Sequence, residues 1–149
     1  MANTMTSTMM NTPLGVKTLH RFGARHFSTS RVGDYDGQQI HWRSYADIDA
    51  SSARLANALT RLGIVSGDRV GTFMWNSTQH LETYLSVPSL GAVLHTLNCR
   101  LSAEHIAYII NHAADRFLIL DARLIDSFLP VLPLIHDVEH VIVAGGGDE

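Results

Sequence analysis

Residues 68–98 read DRVGTFMWNSTQHLETYLSVPSLGAVLHTLN, and this stretch decides the fold class. A short run of β-branched and apolar residues, Val70 to Met74, is followed by Ser77 in a helix-capping position. A helical stretch then runs from about Thr78 to Leu90, and a second apolar run follows from Ala92 to Leu97. Two short strands separated by one helix are parallel neighbours, because antiparallel strands need only a tight turn whereas a right-handed crossover needs the helix. The same order continues downstream. Ser102 caps a predicted helix over Ala103 to Ala113, with the apolar stripe Ile106, Ile109 and Ile110, and leads to a strand over Phe117 to Leu120. A last predicted helix, Ala122 to about Ile135, carries Pro130 and Pro133 in its second half and leads to a strand over His140 to Ala144. The class is therefore α/β, a mostly parallel sheet with flanking helices. The pattern leaves strand order open.

Upstream, the expected elements are of a different kind. Thr12 and Pro13 are placed as cap and first position of a helix on which Leu14, Leu19, Phe22 and Phe27 share one face, and Ser28 to Ser30 break it. Val32 and the run Ile40 to Arg43 flank the turn dipeptide Asp36-Gly37, which predicts a hairpin. Ser44, with Asp47 three residues on, opens a helix bearing Ile48, Leu55, Leu59 and Leu62, and Gly63 supplies its left-handed stop.

The 149 residues are 46% hydrophobic and 17% charged, the composition of a globular chain. Eleven Lys and Arg against fourteen Asp and Glu give a net charge of −3, which offers no broad basic footprint for nucleic acid. Cys99 is the only cysteine, so no internal disulfide forms and no thiolate metal site can be built. No apolar run approaches the roughly 18 to 20 residues of a membrane span. Lys17, Arg21, Arg25 and Arg31 precede the first acid, Asp34, in the manner of an organelle transit peptide, while the polar start, residues 1–11, excludes a secretory signal. The expected location is cytoplasmic, with residues 1–11 a disordered tail and residues 145–149 a linker.

Short motifs carry little chemistry. His136-Asp137-Val138-Glu139-His140 fits the H-x-x-E-H pattern of some zinc peptidases, but that chemistry needs residues four apart stacked on a helix. Here the motif straddles a helix end and a strand start, where four residues span about 13 Å. A solvated turn is the expected role. His105 and His112 lie two helical turns apart, about 10 Å, too far to share an ion. Gly145 to Gly147 follow a predicted strand without the Lys and Ser or Thr of a phosphate loop. Asn76-Ser77-Thr78 satisfies the glycosylation pattern, which the capping role of Ser77 explains. No G-x-S-x-G elbow occurs, and Cys99 has no motif-level partner for nucleophilic catalysis.

A longer likeness is more specific. Gly67-Asp68-Arg69-Val70, Trp75-Asn76, His80-Leu81-Glu82, Val87-Pro88, the run Gly91 to Asn98, Arg100-Leu101 and the run Ile106 to Ala113 occur in the order found in one family, as do Tyr45-Ala46-Asp47 and Arg54 to Leu59 upstream. The chain resembles the N-terminal part of the adenylate-forming acyl-CoA synthetases, in the fatty-acyl-CoA ligase branch, over residues 12–144. Pro13 to Arg31 resembles that family's own first helix, which argues against the transit peptide. The resemblance implies a fatty acid attacking the α-phosphate of ATP, with Mg²⁺, to give an acyl adenylate, followed by displacement of AMP by CoA. It also implies that the phosphate loop and catalytic lysine lie outside this sequence, so the chain is expected to bind no cofactor of its own and to be inactive alone. An interaction module pairing with a complete synthetase is the alternative, and self-association through an uncovered sheet edge is expected. One residue carries over. Arg100, in Asn98-Cys99-Arg100-Leu101, matches an N-P-R-L motif whose arginine approaches CoA phosphates in some relatives, with Cys99 standing where proline is usual. A guanidinium fork suits phosphate oxygens, and a structural role in crossing the loop is the competing reading of the same residue.

Overall fold

The computed structural model describes residues 13–145. Helix α1 (Val16–His26) precedes an antiparallel hairpin of β1 (Arg31–Tyr35) and β2 (Ile40–Ser44), then α2 (Tyr45–Arg61). From there strands and helices alternate: β3 (Arg69–Phe73), α3 (Thr78–Ser89), β4 (Val93–Thr96), α4 (Ala103–Ala113) and β5 (Phe117–Asp121). A broken segment leads from β5 to β6 (His140–Ala144), and all four strands of this sheet run parallel in the order β4-β3-β5-β6.

Local chemistry explains most boundaries. Ser44 Oγ accepts from the Asp47 N–H while the Asp47 carboxylate accepts from the Ser44 N–H, both at 3.1 Å, a reciprocal capping box at the start of α2. Ser77 and Ser102 cap α3 and α4 through the amides of His80 and His105. Gly63 follows α2 at φ +87, a conformation that side chains resist. The C-terminal end of α4 is closed instead by Ala114 at φ 51, ψ 54, and by the Arg69 guanidinium, which donates to the Ala113 and Ala114 carbonyls at 2.6 and 2.9 Å.

Two expectations fail. The predicted helix over residues 122–135 is a 3-10 turn (Ala122–Leu124), a single helical turn α5 (Ile125–Phe128) and a second 3-10 turn (Leu132–Leu134). Pro130 and Pro133 lack the N–H that a continuing helix requires, and their rings crowd the preceding carbonyls. The first helix starts at Val16 with Gly15 as its cap, and Thr12 lies outside the described residues. Its stripe of Leu19, Phe22 and Phe27 is also more than half exposed, because α1 packs inward through His20, Gly23 and Ala24.

The main sheet is covered on both faces. Val70, Phe117 and Ile119 point to the side of α2 and α3 and meet Leu59 and Val87. Phe73, Leu118 and Leu120 point the other way and meet Ile106 and Ile110 of α4 with Leu124, Phe128 and Val131. Every residue of β5 is buried, the signature of a central strand between two helical layers. Inside this core the His80 ring is matched at both nitrogens. His80 Nδ1 donates to the Trp75 carbonyl (3.2 Å), so its Nε2 is the acceptor facing the Thr72 hydroxyl at 3.0 Å. Burial lowers the His80 pKa below its ordinary value and keeps the ring neutral in that arrangement.

Candidate functional site

From β3 the chain moves to one side through α3 to reach β4, then crosses back through α4 to β5 on the other side of β3. The segments leaving the carboxyl ends of β3 and β5 therefore depart to opposite faces and open a crevice, the place where open α/β sheets bind ligands. A cleft of about 320 Å³ lies there. Met74, Ser77 and Thr78 follow β3, Asp121 ends β5 and Arg123 lies in the 3-10 turn after it, and Ala144 ends β6 with Gly145 next in the chain. The β1–β2 hairpin closes the mouth with Asp34, Asp36, His41 and Arg43.

The charges of this cleft are largely paired with one another. Asp34 Oδ2 accepts from the Thr78 N–H at 2.8 Å, occupying the N-terminus of α3. Arg43 binds Glu82 of α3 at 2.5 Å and the Ser51 hydroxyl of α2 at 2.6 Å, which fixes the hairpin to both helices. Asp36 accepts from the N–H groups of Gln39 and Gln38, both at 2.8 Å, and from His41; these bonds hold its carboxyl well below the usual range. At the end of β5, Arg123 grips Asp121 with two parallel bonds of 2.9 and 2.7 Å. Burial pushes Asp121 up, but the Arg123 side-chain and backbone bonds outweigh it and leave the carboxylate below its ordinary value. Among the described residues no group of three His, Cys, Asp or Glu could hold a metal ion. Geometry of this kind can bind and orient; it presents no activated nucleophile.

Arg100 is not part of the lining of this cleft. It lies in the loop after β4, at the same carboxyl end of the sheet, with its N–H held by Asn98 Oδ1 at 3.0 Å and its side chain exposed. Cys99 is half-buried, its Sγ 3.7 Å from the Met74 carbonyl at the end of β3, so the loop is seated against the strand next door. Burial raises the thiol above its ordinary value.

Asp34, Arg43, Asp121 and Arg123 were not singled out by spacing. The signal that points to the last two is their position: polar residues at and just after the carboxyl end of a strand whose first four residues, Phe117 to Leu120, are apolar. The residues of the H-x-x-E-H motif each have a separate role. The His136 N–H meets Asn111 Oδ1, Glu139 pairs with Arg116 at 2.8 Å, and His140 stacks on Phe117. Gly145 has φ +84, and Gly146 and Gly147 lie outside the described residues.

Comparison with known proteins covers almost the whole chain. Residues 21–148 match the family described as AMP-binding enzyme. The 3-methylmercaptopropionyl-CoA ligase of Ruegeria lacuscaerulensis is 38% identical over 97% of this chain and 27% of its own length. The long-chain-fatty-acid–CoA ligase of Thermus thermophilus is 38% identical over 95% of this chain and 26% of its own length. Among solved structures, the fatty acyl CoA synthetase of Mycobacterium tuberculosis superposes with a TM-score of 0.73 at 28% identity, over 87% of this chain and 26% of that one. The chain spans about a quarter of the length of the curated relatives it matches.

Proposed function

The chain belongs to the AMP-binding enzyme family, and we propose that it supplies the N-terminal portion of an ATP-dependent fatty-acid–CoA ligase. Residues 12–144 are that portion in this reading. The observation that carries it is the ordered match over residues 21–148 to a family whose relatives here are acyl-CoA ligases, together with a cleft at the switch point of the sheet. In the complete reaction a fatty-acid carboxylate attacks the α-phosphate of ATP, pyrophosphate leaves, and the CoA thiolate then displaces AMP from the acyl adenylate.

The donor set of this chain does not fit a Mg²⁺-triphosphate. Asp34 is taken by the Thr78 amide, Asp36 by two backbone amides and His41, and Asp121 by Arg123. No step is assigned to these carboxylates. The role proposed for this portion is to shape one wall of the nucleotide and CoA site and to present Arg100. An exposed guanidinium in an ordered loop at the carboxyl edge offers two donors to a phosphate oxygen pair, the chemistry that a CoA phosphate requires.

A chimera tests the reading. Residues 13–145 are exchanged for the matching quarter of the Thermus thermophilus ligase, and acyl-CoA is measured with ATP, Mg²⁺, a fatty acid and CoA. The folded chimera is expected to form acyl-CoA, and the 149-residue chain alone to release neither pyrophosphate nor acyl-CoA. A folded chimera without adenylation, or turnover by the chain alone, overturns it.

A further inference from the structure

A second cavity, of about 260 Å³, lies between α1 and α2 and closes on the C-terminal end of α3. The switch-point cleft reaches the N-terminal end of the same helix, whose 12 residues span about 18 Å, so the two sites are separate. One wall carries two cations: Lys17 and Arg21 sit at positions i and i+4 of α1, with His20 at i+3, and all three line the cavity. Lys17 and Arg21 are like charges one turn apart, an arrangement that costs stability unless an anion lies against both. Among the described residues Asp49 of α2 is the single acid of the lining, with Oδ1 2.8 Å from His20 Nε2. That contact lacks hydrogen-bond alignment, and His20 Nε2 is buried without a partner.

The opposite wall supplies a donor with nothing to bind. Ser52 lines the cavity at 4% exposure, and its hydroxyl oxygen is buried without a hydrogen-bond partner. Buried hydroxyls are almost always paired, so an orphan beside a cationic wall marks a place where an acceptor belongs. Asn57 adds an amide group to the same wall. We propose that this cavity is a phosphate site. Lys17 and Arg21 neutralise the phosphate, Arg21 through paired donors, and the Ser52 hydroxyl donates to an oxygen at the floor. The phosphate belongs to a small phosphomonoester or to the head group of an anionic lipid, since the recognising chemistry is the same.

Inorganic phosphate is titrated into the intact chain at fixed ionic strength, with binding followed by backbone amide shifts. Saturable binding is expected, weakened at least tenfold by the exposed double substitution Lys17→Ala with Arg21→Ala. Ser52→Ala is expected to weaken it several-fold while leaving the melting temperature in chloride unchanged or higher, because it removes an unpaired buried hydroxyl. Vesicles of phosphatidylcholine with and without phosphatidic acid form the second arm. Sedimentation with phosphatidate vesicles alone, lost in the same variants, assigns a lipid head group; response to phosphate without vesicle binding assigns a soluble ligand. Absence of both responses, or a response that the double substitution or Ser52→Ala leaves intact, overturns the site. None of these residues lines the switch-point cleft, so failure here leaves the ligase reading untouched.

Discussion

Gly71 and Asp115 share one volume: a Cβ on Gly71 would stand 2.8 Å from Asp115 Oδ2 and 2.5 Å from Leu118 Cδ2. The absent side chain on β3 is what lets a fully buried carboxylate lie beside the central strands. Asp115 is then held by His95 Nδ1 of β4 at 2.8 Å, so one residue links three strands' worth of structure at the amino end of the sheet.

Gly71→Ala is therefore expected to cost about 1 to 3 kcal/mol, the usual range for overpacking a well-filled core. Urea unfolding followed by circular dichroism measures it. A loss below a few tenths of a kcal/mol would show that Leu118 and Asp115 move aside freely.

Burial raises the Asp115 pKa above its ordinary carboxylate value, and the His95 hydrogen bond only partly opposes it. The folded state thus holds this proton more tightly than the unfolded one, so the stability tied to it is present below the ordinary value of 3.8 and is lost as pH rises through the folded value. Asp115→Asn keeps an acceptor for His95 and removes the titration. Relative to the parent chain, the variant is expected to gain stability as pH rises above 3.8; a difference constant with pH contradicts this assignment.

Ala114 closes α4 at φ 51, where a Cβ is strained. Ala114→Gly is expected to raise stability by about 0.5 to 1 kcal/mol, relief of the strain exceeding the added freedom of the unfolded chain. Thermal and urea denaturation should agree on the sign, and a destabilised variant would show that the Ala114 methyl packs more than it strains.

In the active chimera, Arg100→Ala is expected to raise the Michaelis constant for CoA by roughly 10- to 150-fold, for an unshared charge-assisted contact, and by less if solvent screens it. Pyrophosphate release with fatty acid and ATP should stay near the parent value, because CoA enters only afterwards. Equal loss in both half-reactions would make Arg100 a structural residue.

Strands β4 and β6 form the two edges of the main sheet, and Val141 and Val143 are 44% and 48% exposed. An uncovered edge with apolar side chains recruits other strands. The chain is expected to elute above its monomer mass in size-exclusion chromatography, and Val143→Lys to shift it toward monomer. A sharply monomeric parent chain contradicts this.

What the sequence disclosed was local. Ser44 with Asp47, Ser77, Ser102 and Gly63 act within one turn of themselves, so their residue types were enough to place the starts of α2, α3 and α4 and the end of α2. The segment after β5 departs from the expected helix because Pro130 and Pro133 interrupt an apolar run that would otherwise suit one. Which face of α1 turns inward is not written in its periodicity: burial of its small and polar side depends on α2 and α3. The cleft was illegible because Asp34, Thr78, Asp121 and Gly145 meet only once the strand order is known, and order is a property of the whole sheet.

That order also sets a clock for synthesis. Strand β3 lies between β4 and β5, yet β5 begins at Phe117, 44 residues after β3 ends at Phe73. At a ribosomal pace of about 5 to 20 residues per second, β3 waits about 2 to 9 s with one backbone edge unpaired. Its nascent partner meanwhile is β4 alone, on the outer side. The capping residues that start α3 and α4 emerge within that interval, and α2 is already made, so helices that form early and locally shelter a strand whose second neighbour is still being made.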